Sequence, residues 1–550
     1  MTKKIFFVAL ILCASLYAQN DYVRIDNNVY QFLDRMEALH IIHDFNSFEI
    51  PKPRKEIAHY LKEVDANESH LDKIDHQILD DLKKEFEFEM YGTLKNSQSY
   101  IDSTYDFISQ NAKYFYSYVK PKKFNLFVNI LGEGQVINQS DFENKSNLHT
   151  EIGVIGGEIS GTLFDKFGFY LRGTNGNVFG NKTVAKLRPD INYNFKYSLD
   201  QAAGFFDETE GYATADFKYL RLKFGRDQMQ IGYGPIKSII DDNSPEFDYL
   251  GMNIDYDFFH FSYFHGKLLG QTYFQQDSIH GGINVVAEKY IGYHRISFDI
   301  SPKFNFGAGE MIIYGDRPLD LSYLNPFAFY KSVEHSGQDR DNSFLFFDAE
   351  DRSIKGLNIY STLLIDDIDF GKLGTGWYGN QTLFDVGIFS SNLYQYLPLD
   401  FGLEFTKVDP YVHTHRTDNS NFTNLGFNLG SILKPNSLMY NINLNYRFTY
   451  RINLKAEFSY ILHGANPIKP DGTIINVGGD EALGHRTFDA TGARILDGDL
   501  EYSRIFSALL SYEPIKQYYF TINFIYFNES LQNSVKNNQL QSYFTLSLKL

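Results

Sequence analysis

The sequence predicts a mainly β chain: a transmembrane antiparallel β-barrel of about 16–18 strands behind a small N-terminal α-helical module. Three observations carry this. Phe and Tyr are abundant, 50 and 40 residues, beside one Trp and 15 Pro. No stretch beyond the N-terminal segment is apolar for the ~18 residues that a membrane-spanning helix needs. From about residue 114 onward, apolar and polar residues alternate over runs of ten or more.

The N-terminus reads as an export signal. Lys3 and Lys4 precede an apolar run from Ile5 to Leu16, and Ala18 offers a cleavage point before Gln19. The run is too short to cross a bilayer. Cys13, the single cysteine, lies inside it behind Leu12 rather than behind the small residue of a lipoprotein signal. The mature chain therefore has neither disulfides nor thiolate metal ligands. The expected layout is a signal peptide over 1–18, a helical module and lead-in over 19–113, and a barrel over 114–550.

Within 28–93 the apolar spacing is helical. Ile57, Tyr60, Leu61 and Val64 fall on one face, behind Pro51 and Pro53. Leu71, Ile74, Ile78 and Leu82 form a second stripe, and Ser69 with Asp72 resembles a capping-box start. These stripes are read as the core of the module, with a groove for a periplasmic partner as the alternative.

The period then becomes two. Leu250, Met252, Ile254 and Tyr256 alternate with Gly251, Asn253, Asp255 and Asp257. Ile442, Leu444, Tyr446 and Phe448 alternate with Asn441, Asn443, Asn445 and Arg447, and Phe544, Leu546, Leu548 and Leu550 close the chain the same way. Successive strand residues face opposite sides, so one face is apolar throughout. Strands of this length suit a tilted crossing of a bilayer, where every backbone group must be paired and the sheet must close. Tight turns are predicted near Tyr450 and around Pro514, and longer loops over 464–500 and 528–538. The net charge of −17 offers no basic footprint for nucleic acid.

Two stretches carry a resemblance. The first is Phe224-Gly225-Arg226-Asp227 continuing to Gly232-Tyr233-Gly234-Pro235. The second runs from Tyr314 through Arg317, Asp320, Tyr323 and Asn325 to Pro326, then through Tyr330, Glu334 and His335 to Asp339-Arg340-Asp341-Asn342. Gly356 to Tyr360 with Asp366-Asp367, and the opening Pro53-Arg54-Lys55-Glu56-Ile57-Ala58, fit the same pattern. They resemble the capsule assembly proteins of the Wzi family. The resemblance implies an outer-membrane barrel of about eighteen strands with a small periplasmic helical bundle. It implies a lectin-like, non-catalytic role in assembling or attaching capsular polysaccharide or exopolysaccharide, without a cofactor.

Candidate polysaccharide-binding residues are Arg226, Asp227, Arg317, Asp320, Tyr323, Asn325, Tyr330, Glu334, Arg340 and Asp341. Arg and Asp can hydrogen-bond sugar hydroxyls while Tyr rings stack on sugar faces. The alternative is structural, since such charges also pair across a barrel wall and brace it. Asp480 and Glu481 could bind calcium, or lie in a solvated loop. No phosphate loop or zinc-helix motif is present. Two other functions compete: a porin for small solutes, and a rim hydrolase built on His335 with Ser332 or Ser336 and Asp339.

Overall fold

The computed structural model describes residues 19–101, 105–194, 204–279, 281–338, 340–392, 397–531 and 534–550. The predicted signal segment, with Cys13 and Ala18, lies outside the described residues, as does Asp339.

Among the described residues, eighteen antiparallel strands close into a barrel, from Phe124–Asp141 to Ser534–Lys549. The last strand pairs with the first from Gln539↔Asp141 to Lys549↔Leu131. A short strand, Tyr116–Lys120, pairs with residues 124–128 along the same edge. The period-two pattern acts inside out. On strand Ser437–Thr449, the apolar Tyr440, Ile442, Leu444 and Phe448 are 38–53% exposed, whereas Asn441, Asn445 and Arg447 are 1–7% exposed. A water-soluble sandwich would bury the first set. Here the apolar set forms the outer wall, as a lipid-facing surface requires.

Three boundaries differ from the sequence reading. Strands Asp499–Ile515 and Tyr518–Leu531 meet at Lys516–Gln517, and Pro514 lies in the strand end at a register shift between Tyr512 and Ile515. A bulge tolerates the missing N–H. The predicted loop 528–538 is mostly paired, with Asn528↔Asn538 and Glu529↔Asn537 continuing the ladder. Its polar residues reflect strand beyond the lipid, not absence of strand. Helix Lys73–Glu85 is capped by Asp72, whose carboxylate accepts the Asp75 N–H at 2.8 Å, while Ser69 is taken up in the preceding 3-10 turn Glu68–His70.

The N-terminal helices are Val29–Ala38, Arg54–Ala66, Lys73–Glu85 and Glu87–Tyr91. Their core includes Leu33, Met36, Ile57, Leu61, Val64 and Leu79, so the first predicted stripe is the buried face. The module closes one mouth of the barrel through ion pairs to the hairpin turns there. Arg352 bonds the Glu37 carboxylate, the Phe45 carbonyl at 2.8 Å and Glu350 at 2.8 Å. Lys516 reaches Asp81 at 3.3 Å and Glu85 at 3.4 Å, and Arg451 reaches Asp81 at 3.1 Å. Arg221 bonds Glu56 at 2.6 Å, and Lys55 pairs with Asp216.

The other, distal end is filled from within. Residues Glu49–Ile50 run up inside the barrel and pair with Gln230–Ile231 of the distal connection that follows strand Leu220–Asp227. Phe48 packs on Tyr233 at 4.8 Å under the Arg295 guanidinium at 4.2 Å. Ile231, Ile236, Ile239, Ile240, Val412, Phe422, Leu429 and Leu433 join the inward Tyr293, Met311, Phe344 and Phe346 in one apolar core. Each such side chain contributes roughly 1.5–3 kcal/mol when removed from water.

Candidate functional site

The ten sequence-predicted site residues do not form one surface. Arg226 and Asp227 are adjacent on a strand and so face opposite ways. Arg226 is outward and pairs with Asp248 at 2.8 Å. Asp227 is buried and pairs with Lys223, whose ammonium sits 4.0 Å from the Tyr22 ring centre and 4.2 Å from that of Tyr212. This pair ties the N-terminal segment to the wall.

Six others are brought together around the distal connection 316–341. The Arg317 guanidinium is bidentate to Asp341, at 2.5 and 2.6 Å, reaches Asp320 at 3.3 Å and lies 4.7 Å over the Tyr314 ring. The Tyr323 hydroxyl donates to Asp341 at 2.7 Å. The Tyr330 N–H donates to Glu310 at 2.8 Å, and Glu334 accepts from the Ser343 hydroxyl. Tyr323 and Tyr330 are 1% and 0% exposed, so neither ring offers a face to a sugar. This is the geometry of a brace. Asn325 and Arg340 remain exposed.

Of the hydrolase set, the Ser336 hydroxyl donates to the Val333 carbonyl at 2.7 Å, within its own helix turn. The Asp480 carboxylate accepts the Ala482 N–H at 2.9 Å. Among the described residues, no cluster of three or more His, Cys, Asp or Glu side chains is placed to hold a metal ion.

A different group of residues makes the distal surface. Loops 368–380, 409–436 and 466–498 pack together into a cap. Trp377 bridges to Gly492, and Tyr378 stacks on His485 with ring centres 3.5 Å apart. The Tyr411 hydroxyl donates to the Asn476 carbonyl at 3.0 Å. On this frame the Lys372 ammonium lies 3.6 Å over Trp377 and Arg486 lies 4.6 Å over Phe488. Phe370 and Phe488 are 76% and 77% exposed. Arg486 is also bonded to Asp489 at 2.8 Å; burial pushes the Asp489 carboxyl up, but Arg486 outweighs it and holds the group below its ordinary range. Flat apolar rings beside fixed planar charges are what a sugar surface matches. The sequence carries a signal for this set. The single Trp falls in the glycine-rich run 371–379, and its partner is the long Gly- and Asp-rich loop.

Beneath the cap, His413 stacks on Phe422 at 4.4 Å, and burial pushes its imidazole down to about 3. It is held neutral inside the lumen.

A family model described as capsule assembly protein Wzi matches residues 162–499. The chain belongs to this family. Being a closed barrel of this family with an apolar outer wall, it is an outer-membrane protein. The solved structure of Wzi from Escherichia coli, described as an outer membrane protein involved in group 1 capsule assembly and a carbohydrate-binding β-barrel, aligns with 96% of this chain and 99% of its own. Its identity is 13% and the TM-score 0.56, a likeness of fold. The outer membrane protein OprD of Pseudomonas aeruginosa aligns with 77% of this chain and 93% of its own, at 10% identity and a TM-score of 0.43. No curated protein sequence matches the chain.

Proposed function

We propose that this chain is a non-catalytic, lectin-like outer-membrane protein that assembles or attaches capsular polysaccharide or exopolysaccharide at the cell surface. Its distal cap faces outward and its helical module faces the periplasm. The observation that carries the reading is the filled barrel. An apolar core of infolded segments occupies the lumen and the module is ion-paired across the mouth. A scaffold closed in this way is suited to presenting a surface rather than passing solutes.

Glycan contact is assigned to the cap, with Trp377, Phe370, Phe488, Lys372 and Arg486 as its centre. Arg226 and Arg340 are further contacts at the rim. Asp227, Arg317, Asp320, Tyr323, Tyr330, Glu334 and Asp341 act by holding the wall and its loop in shape. Deleting the protein and assaying polymer on cells and in the medium tests this. Polymer made but shed into the medium is the expected result. Unchanged surface polymer overturns the attachment role, and single-channel conductance of the purified barrel then tests the porin reading.

A further inference from the structure

Connection 316–341 leaves the distal rim at Gly315 but turns back along the outside of the barrel. On strands Phe259–Asp277, Gly281–Ser301 and Phe304–Gly315, the residues Tyr263, His294, Glu310 and Tyr314 share the outward register of the exposed Leu250. The connection lies on top of them. The Tyr263 hydroxyl donates to the Leu324 carbonyl at 3.0 Å, and Phe327 stacks on Phe261 at 5.3 Å. The rings of His294 and Tyr330 are 4.5 Å apart, and Glu310 accepts the first N–H of helix Tyr330–Ser336. Gly292 gives the clearance, since a Cβ there would stand 3.2 Å from the Tyr330 hydroxyl oxygen. Charged and polar groups on a lipid-facing wall are costly near mid-depth. His294 and Glu310 are tolerated there because this connection covers them.

The sheet register gives the depth. One continuous line of paired residues runs from Ile365, near the distal end of its strand, through Glu310, His294 and Tyr263 to Phe167, the first residue of its strand at the module end. Tyr263 stands four pairings from either end of that line. Leu324 and Phe327 therefore lie near the middle of the wall. Around them Leu321, Phe327 and Phe329 are 77%, 73% and 57% exposed, continuous with the apolar outer wall.

We infer that the tip of this connection, residues 319–329, is embedded in the bilayer and packs against its acyl chains. It is an outer-wall element entering the membrane from the distal side, with the polar face of helix Tyr330–Ser336 at the headgroup level. Asn325 then belongs to this tip rather than to the glycan surface, and its side-chain oxygen accepts the Phe327 N–H at 3.2 Å.

The single tryptophan makes the test direct. In a Trp377→Phe background, Phe327→Trp and Leu321→Trp are made separately in the full chain and reconstituted into vesicles of phosphatidylcholine brominated at mid-chain. Heat-modifiable gel mobility confirms a folded barrel for each. Phe524→Trp on the outer wall and the native Trp377 serve as references for lipid and water. The expected result is loss of emission from positions 327 and 321 matching that at 524, without quenching by aqueous iodide. Iodide quenching like that of Trp377, or protection from both quenchers as under a protein partner, overturns the inference.

Discussion

Arg352→Met tests how the module is held. Arg352 sits in the turn after strand Asn342–Asp351, 3% exposed, and spans the Glu37 carboxylate, the Phe45 carbonyl and Glu350. Methionine preserves the aliphatic stem and removes all three bonds. Removing one member of a buried ion pair costs about 3–5 kcal/mol, because the remaining charge stays desolvated. At 1.4 kcal/mol per tenfold, the docked module should lose roughly two to three and a half orders of magnitude in population relative to an undocked state. The barrel ladder is untouched, so gel mobility should not change. Trypsin cleavage at Lys52 and Lys55 should become faster, whereas ionic conductance of the reconstituted barrel should stay low because the distal apolar core still fills the lumen. Burial already pushes the Glu37 carboxyl up despite Arg352. Without that guanidinium it protonates still more readily, so the defect should shrink as pH falls. Adding Glu37→Gln should restore much of the protease resistance. Unaltered resistance in Arg352→Met, or no recovery in the double variant, would refute the latch.

Other predictions follow from the same geometry. His413 titrates near 6.5 when unfolded and about 3 when folded. Between those values only the unfolded chain takes the proton, so stability falls as pH falls, by about 1.4 kcal/mol per unit; His413→Phe should flatten the dependence of the urea midpoint on pH over that window. Burial raises Asp81, but Lys516 and Arg451 outweigh it and leave its pKa below the ordinary value. Its contribution to docking is present above about pH 4 and lost as pH falls through the lower folded value, which pepsin susceptibility of the module across that range checks. Lys516→Met should make the module more susceptible to trypsin at neutral pH. In the cap, Trp377→Ala and Phe488→Ala should each weaken binding of purified surface polysaccharide about two- to twelvefold, the size of about 0.5–1.5 kcal/mol per aromatic contact, with gel mobility unchanged.

The sequence by itself determined the class of structure. Alternation is a local property of the backbone, because every second side chain points the same way whatever surrounds it. Ile442, Leu444 and Phe448 against Asn441, Asn445 and Arg447 therefore announced a two-faced strand, and its length with a polar other face announced lipid on the apolar side. The helical spacing of Ile57, Leu61 and Val64 was equally local. Tertiary structure alone decided where the irregular segments go. Tyr323 and Tyr330 look like sugar platforms in a linear reading, but the register of strands far away carries them onto the outer wall and buries them. Phe48 and Ile231 are separated by about 180 residues, and nothing local tells that they meet inside the lumen. Asn528 to Asn538 looked like loop because a strand above the bilayer is polar on both faces. Pairings that depend on closure of the whole barrel leave no periodic trace in the segments they join, and that is why the wall was legible and its contents were not.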